Sequence, residues 1–391
     1  MLDQLRILLL PIYEWLDRHE PIVFPRPKGK YSVGRKCFNW IDSEREEKFV
    51  EGFGTRREVL VWLWYPANDN GTSEKSLYLP PKWCHRLQLL GERLPRSLEL
   101  IKCNSTDDAS VARDACPAPL LVFLPGLGSL PIHYSAMAEE LASQGYFVAG
   151  IAGPYTPRLI CFPDGREAHG SRAGQVWSRD EDEAMAERGR IISVWIEDLH
   201  FVVERICSLS EGSEDATSHS EPDSTTFFRH AIDPQSIGAY GHSLGGTAAA
   251  ELPNRNHRCR ATANMHGWFP PHASREERYV EHTFLYLVPK LLSQHHKQLG
   301  HFKDGWQITI DGFLHQYFGD VPLYAGPRTM SYASDLFRKK LIVMPLPGSR
   351  AINITSASLV AFFNHHLRNQ GENLSLLSKE FGEITVEKLP D

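Results

Sequence analysis

Gly241-His242-Ser243-Leu244-Gly245 constrains this chain more than any other stretch. A serine flanked by glycines in this spacing is informative when a strand runs into it and a helix leaves it. Ser236-Ile237-Gly238-Ala239-Tyr240 reads as a short buried strand, and Gly246-Thr247-Ala248-Ala249-Ala250-Glu251-Leu252 is small and helix-compatible. Strand and helix can approach this closely only where glycines flank the serine. The resulting turn exposes the hydroxyl and aims a helix N-terminus at an oxygen that becomes negative during acyl transfer. The expected arrangement is therefore a nucleophile elbow with Ser243 at its tip.

The rest of the chain reads as one α/β domain around that elbow. Leu120-Leu121-Val122-Phe123-Leu124 and Tyr146-Phe147-Val148-Ala149-Gly150-Ile151 are apolar runs of the buried parallel-strand kind. A helix is expected from about Tyr134 to Gln144, with Gly145 as its C-terminal stop. A long helix is expected from about Ser178 to Cys207, where Ser178 and Glu181 have capping-box spacing. Its stripe Ile192, Trp195, Leu199, Val202 and Ile206 is assigned to the core. Further strands are expected near Ala261–Met265, Thr283–Val288 and Trp306–Ile310, with a closing helix across Ser356–Leu367. Strands alternating with helices this regularly imply a doubly wound, mainly parallel sheet with helices on both faces.

Ahead of this rhythm, Val59–Pro66 reads as a strand ended by proline, and 75–116 as irregular, finishing in a polar, mobile Cys103–Asp114. Residues 1–35 are expected to form an N-terminal arm, 36–370 the domain, and 371–391 a tail. Ser208–Thr226 is acidic and serine-rich and reads as a disordered insertion.

Composition narrows the partners. The net charge is −6 without a basic stripe, which argues against nucleic acid. Seven cysteines without a C-x-x-C pair favour a reducing compartment and exclude a zinc ribbon. The apolar run from Leu5 to Ile12 is too short to span a bilayer and has no clear leader features. A cytoplasmic location is expected, so the sequons at Asn70, Asn104, Asn353 and Asn373 are read as chance. No metal or organic cofactor is implied: His282, His295, His296 and His301 lack ligand spacing. No oligomeric state is legible.

A serine nucleophile needs a base downstream of it in this strand order. His315, just after the last core strand, is the candidate among the 18 histidines. The elbow's own His242 is read as structural, pointing away from the chemistry.

These motifs resemble the platelet-activating-factor acetylhydrolase family of α/β-hydrolases, with its bacterial lipase and esterase relatives. The resemblance spans roughly residues 31–368. It rests on Tyr31-Ser32-Val33-Gly34, Phe123-Leu124-Pro125-Gly126-Leu127-Gly128 and Tyr134-Ser135-Ala136. It continues through Glu140–Tyr146, Phe162-Pro163-Asp164-Gly165-Arg166, the elbow, and the segment from His315-Gln316 to Asp320. It implies an α/β-hydrolase fold, a serine esterase acting on a small ester or acyl substrate (a lipid included), Ser243 as nucleophile and His315 as general base. The backbone amides of Leu127 and Leu244 would be the oxyanion donors.

One departure stands out. The family's acid belongs in the segment that here reads Asn264-Met265-His266-Gly267-Trp268, and His266 holds its place. The other usual acid position offers only Pro289-Lys290-Leu291. Glu251, Glu276, Glu277, Glu281, Asp304 and Asp311 are the acids between elbow and base, and none falls where it is expected. Four outcomes stay open: a weakened hydrolase, a Ser-His-His enzyme with His266 orienting His315, rescue by another acid, or chemistry that needs less hydrolytic power. The last includes acyl transfer, lactone closure or elimination in specialised metabolism. A non-catalytic binding protein is the third class, opposed by the retained Ser243, His315 and Gly126-Leu127-Gly128.

Overall fold

The computed structural model describes residues 24–50, 54–68, 73–89, 101–212, 226–268, 279–296, 301–324, 346–371 and 374–389. Its strands are β1 (Ser32–Glu46), β2 (Arg56–Asn68), β3 (Thr106–Asp107), β4 (Ser110–Val111), β5 (Ala118–Leu124), β6 (Phe147–Ala152), β7 (Leu159–Cys161), β8 (Glu167–His169), β9 (Ile232–His242), β10 (Cys259–Met265), β11 (Tyr279–Pro289), β12 (His301–Ile310) and β13 (Ile384–Lys388). The principal helices are α1 (Pro81–Leu89), α2 (Ser135–Ser143), α3 (Glu181–Glu211), α4 (Leu244–Arg255) and α5 (Gly348–Arg368).

Among the described residues, 11 strands form one sheet in the order β13-β12-β11-β10-β9-β5-β6-β2-β1-β3, with β4 beside β2. The run from β12 to β6 is parallel. β2, β1 and β13 pair antiparallel at the two sides. The central strands alternate which face they fill. Leu120, Val122 and Leu124 point to one core together with Ile191, Trp195, Leu199 and Val202 of α3 and Ala248 and Leu252 of α4. Leu121 and Phe123 point to the other, with Met137 and Leu141 of α2 and Ile354, Leu359 and Phe363 of α5. Period-2 burial on both faces makes the strands apolar throughout, as two covering helix layers require. This is the α/β-hydrolase fold.

The sheet places the site through one feature of its order. From β5 the chain crosses to β6 on one side, and later returns to β9 on the other. β5 and β9 are thus neighbours whose connections leave in opposite directions, with Leu124 level with Gly241 at their carboxyl ends. Such a switch point opens a crevice beyond those ends.

Several expectations need correction. The sheet runs past the expected limits 36–370 at both ends, through Ser32–Arg35 of β1 and through β13. Pro66 does not end β2, because its carbonyl accepts the Ala112 N–H at 2.9 Å. Cys103–Asp114 is anchored rather than mobile: Cys103, Ser105 and Val111 are buried, and the Ser105 N–H donates to the buried Glu139 carboxylate at 2.8 Å. The cap of α3 is Asp180, which accepts the Glu183 N–H at 3.0 Å, and not Ser178. That helix continues to Glu211, so the acidic insertion starts later than expected; 213–225 lie outside the described residues. No helix among the described residues is long and apolar enough to cross a membrane.

Candidate active site

Ser243 stands between the last residue of β9 and the first of α4, with φ 53° and ψ −126°. A non-glycine residue held there is strained, and the strain persists because its surroundings fix it. The Ser243 N–H donates to the Met265 carbonyl at 2.9 Å, while its own carbonyl accepts from Gly246 and Thr247. The glycines are required by contact. A Cβ on Gly241 would lie 2.3 Å from the Gly245 carbonyl oxygen, and one on Gly245 would lie 2.3 Å from that of Pro125. The elbow and the segment after β5 therefore touch backbone to backbone.

That segment, Pro125-Gly126-Leu127-Gly128, turns back over the elbow with Gly128 at φ 80°. The Gly126 N–H donates to the Tyr134 hydroxyl at 3.1 Å. The Leu244 amide belongs to the first turn of α4, where no intrahelical acceptor exists. Both candidate oxyanion segments thus flank the crevice.

His266 follows β10 and stands at φ 54°, a conformation in which histidine, asparagine and aspartate are enriched. Two bonds hold it. Its N–H donates to the Leu287 carbonyl at 2.8 Å, and the Gly267 N–H donates to the buried Asn264 side-chain oxygen at 2.6 Å. A Cβ on Gly267 would lie 2.3 Å from the Ser243 carbonyl oxygen, so this turn too rests on the elbow.

His315 begins a 3₁₀ turn, His315–Phe318, shortly after β12. Its Nδ1 lies 2.7 Å from Nδ1 of His266, with ring centroids 4.7 Å apart at 67°. One nitrogen of the pair carries the proton and the other accepts it. The pairing leaves Nε2 of His315 as its second working nitrogen. Burial holds the His315 imidazole below its ordinary value, which favours the neutral, basic form.

The competing acids are engaged elsewhere or lie outside the described residues. Asp311 pairs with Lys290 at 2.8 Å, and Asp304 faces His366 and Lys388 at 3.6 Å each. Glu251 accepts from Asn254. Glu276 and Glu277 fall outside the described residues, as does the side chain of Glu281.

His242 corrects the expectation that it points away. Its ring lies 4.5 Å from that of His315, and its Nδ1 is 2.8 Å from the Tyr134 hydroxyl. Burial, and then the His315 and His266 imidazoles, hold it far below its ordinary value, so it stays neutral. Two residues that carried no role in the sequence reading also enter. Tyr134 bridges Gly126 and His242. Asp320, fully buried, accepts the Ser135 and Ala136 N–H groups at 2.7 and 3.2 Å, and its own N–H donates to the His133 carbonyl at 2.7 Å. The loop carrying His315 is thereby clamped to the start of α2. Both residues stood in matched motifs, but nothing in their spacing indicates which atoms they reach.

The sequence model of "Platelet-activating factor acetylhydrolase, isoform II" matches residues 18–380. The chain is 23% identical over 371 residues to platelet-activating factor acetylhydrolase of Gallus gallus, covering 88% of this chain and 83% of that protein. It is 21% identical over 362 residues to the Canis lupus familiaris protein of the same name, covering 88% and 77%. In fold it is similar to a ferulic acid esterase from Streptomyces cinnamoneus, with a TM-score of 0.71 and 24% identity over 93% of this chain and 98% of that one. The chain is an esterase-type serine hydrolase of carboxylic esters and belongs to the platelet-activating factor acetylhydrolase, isoform II, family.

Proposed function

We propose that this protein hydrolyses a short acyl ester through an acyl-enzyme on Ser243, with a second histidine in the place of the triad acid. The observation that carries the reading is the 2.7 Å contact between Nδ1 of His315 and Nδ1 of His266, beside a serine at φ 53° on a helix N-terminus. His315 Nε2 takes the Ser243 proton as the hydroxyl attacks the ester carbonyl, and returns it to the leaving alcohol. Water then attacks the acyl-enzyme by the same route. The developing oxyanion is met by the Leu127 and Leu244 amides.

His266 fixes the tautomer. With the proton on Nδ1 of His315 and the lone pair on Nδ1 of His266, Nε2 of His315 is free to act as base. When His315 becomes an imidazolium, a neutral His266 accepts its hydrogen bond but offers no compensating charge. The expected enzyme is competent and slower than one with a carboxylate. The relatives named as acetylhydrolases favour a short acyl group, with a small or lipid-like alcohol as leaving group.

The test pairs fluorophosphonate labelling with turnover of p-nitrophenyl acetate and longer p-nitrophenyl esters. Labelling at Ser243, faster turnover of the acetate, and loss of both on Ser243→Ala are expected. A Ser243→Ala protein as active as wild type would dispose of the proposal.

A further inference from the structure

We propose that the Tyr134 hydroxyl is a positioning group that locks the segment carrying Leu127 to the elbow carrying Ser243. This inference rests on reading those two residues as oxyanion donor and nucleophile.

Tyr134 ends the 3₁₀ turn Pro131–Tyr134 just before α2 and is 3% exposed. Its oxygen accepts the Gly126 N–H at 3.1 Å and lies 2.8 Å from Nδ1 of His242. The hydroxyl has one proton to place. With His242 neutral, the assignment that serves both neighbours gives that proton to Nδ1 and puts the imidazole's own proton on its other nitrogen. Gly126 immediately precedes Leu127, and His242 immediately precedes Ser243. One buried oxygen therefore sets the spacing between the two segments on either side of the developing oxyanion.

The contacts around it show how little slack there is. A Cβ on Gly126 would lie 3.0 Å from Nδ1 of His242 and 3.5 Å from the Ser243 Cβ. The tyrosine ring is pinned edge-on against Phe123, with centroids 4.9 Å apart. A Cβ on Gly319 would come within 3.2 Å of Tyr134 Cε1. Gly319 directly follows the turn that begins with His315. Tyr134 thus lies against the Pro125–Gly128 segment, the elbow and the turn that carries His315.

Without the hydroxyl, the Gly126 N–H and His242 Nδ1 are left buried and facing each other, and each must move to find a partner. Reacting geometry tolerates little of this: a displacement of about 1 Å costs on the order of 10²-fold in rate. The loss falls on the transition state, because the ground-state carbonyl depends less on the oxyanion donors.

The experiment is Tyr134→Phe in the full chain, with kcat expressed per fluorophosphonate-titrated site. The expected result is a fall in kcat of about tenfold or more with KM within about twofold. A trifluoromethyl ketone, which mimics the tetrahedral intermediate, should lose affinity by the same factor as kcat/KM. A lower folded fraction alone would change neither number. A per-site kcat within about twofold of wild type, or a fall with unchanged ketone affinity, overturns the positioning role. Turnover that survives Ser243→Ala overturns the underlying reading as well, so the two failures are distinct. Should Tyr134→Phe not fold, His242→Asn and His242→Leu replace it, because asparagine keeps an acceptor at the δ position. The asparagine variant should be faster by about tenfold, and equal rates overturn the proposal.

Discussion

His266 and His315 meet through the same atom of each ring, Nδ1 to Nδ1 at 2.7 Å. In histidine Nδ1 is bonded directly to Cγ, as an aspartate carboxylate oxygen is. His266 therefore presents its nitrogen where an aspartate at that position would present an oxygen. The contact is the one an aspartate would make, with its charge removed.

The first prediction follows from that coincidence. His266→Asp should keep the contact and add a negative charge beside the imidazolium formed during attack. The carboxylate is worth roughly 10⁴ in kcat in complete triads, so a rise of about tenfold or more is expected with p-nitrophenyl acetate. His266→Ala should lower kcat by about tenfold or more, since nothing then orients the base. A slower His266→Asp enzyme would mean that the second imidazole moves a proton of its own.

The pH profile is the second. Burial lowers the His315 value from its ordinary 6.5, so this imidazole stays neutral further into acid. The acid limb of kcat/KM should accordingly fall below pH 6.5 in the wild type. A neighbouring carboxylate favours the imidazolium, so the limb should move upward in His266→Asp. Profiles of both proteins from pH 4 to 9 decide this, and an unmoved limb would remove His315 as the titrating base.

Close approach at the elbow gives the third. A Cβ on Gly245 would lie 2.3 Å from the Pro125 carbonyl oxygen and 2.4 Å from that of Leu124. Both atoms are backbone, at the end of β5 and the start of the segment carrying Leu127, so they cannot rotate away. Gly245→Ala should force α4 off that segment, costing about 1–3 kcal/mol of stability as overpacking does. It should slow fluorophosphonate labelling far more than the stability loss explains. Urea unfolding and labelling rates, measured side by side, separate the two.

The elbow and the central strands were legible because each is written locally. The apolar runs of β5 and β6 need no distant partner to be read, and Ser243 announces itself through its own glycines. His266 was visible only as a missing acid; its contact with His315 spans 49 positions and is made by loops whose meeting depends on β10, β11 and β12 lying side by side. Asp198 shows the limit more sharply. Nothing in the sequence singles it out, yet it is fully buried and holds Arg57, 141 residues away, at 2.6 Å. Arg57 also reaches Glu47 at 2.8 Å, joining α3 to the paired strands β1 and β2. No periodicity marks such a pair, because the apolar stripe predicts which face is buried and not which charges go with it. His242 was misplaced for a related reason: its neighbour in the chain was legible, and the ring lying 4.5 Å away was not.

Asp320 yields the last prediction. Its carboxyl is fully buried, and burial pushes it up from the ordinary 3.8 to about 8, with Glu139 acting in the same direction and the Ala136 and Ser135 amides pulling against it. The sign follows from which state holds the proton. Between 3.8 and 8 the folded chain keeps a proton that the unfolded chain releases, so the contribution is complete below pH 3.8 and is lost as pH rises through 8. Asparagine at 320 carries no charge at any pH and has no such loss. The stability of Asp320→Asn relative to wild type should therefore improve as pH rises from 5 to 8, by about 1.4 kcal/mol per unit at most. Urea unfolding of both proteins at each pH measures it. Parallel profiles would mean that the carboxylate is ionised on its two amides instead.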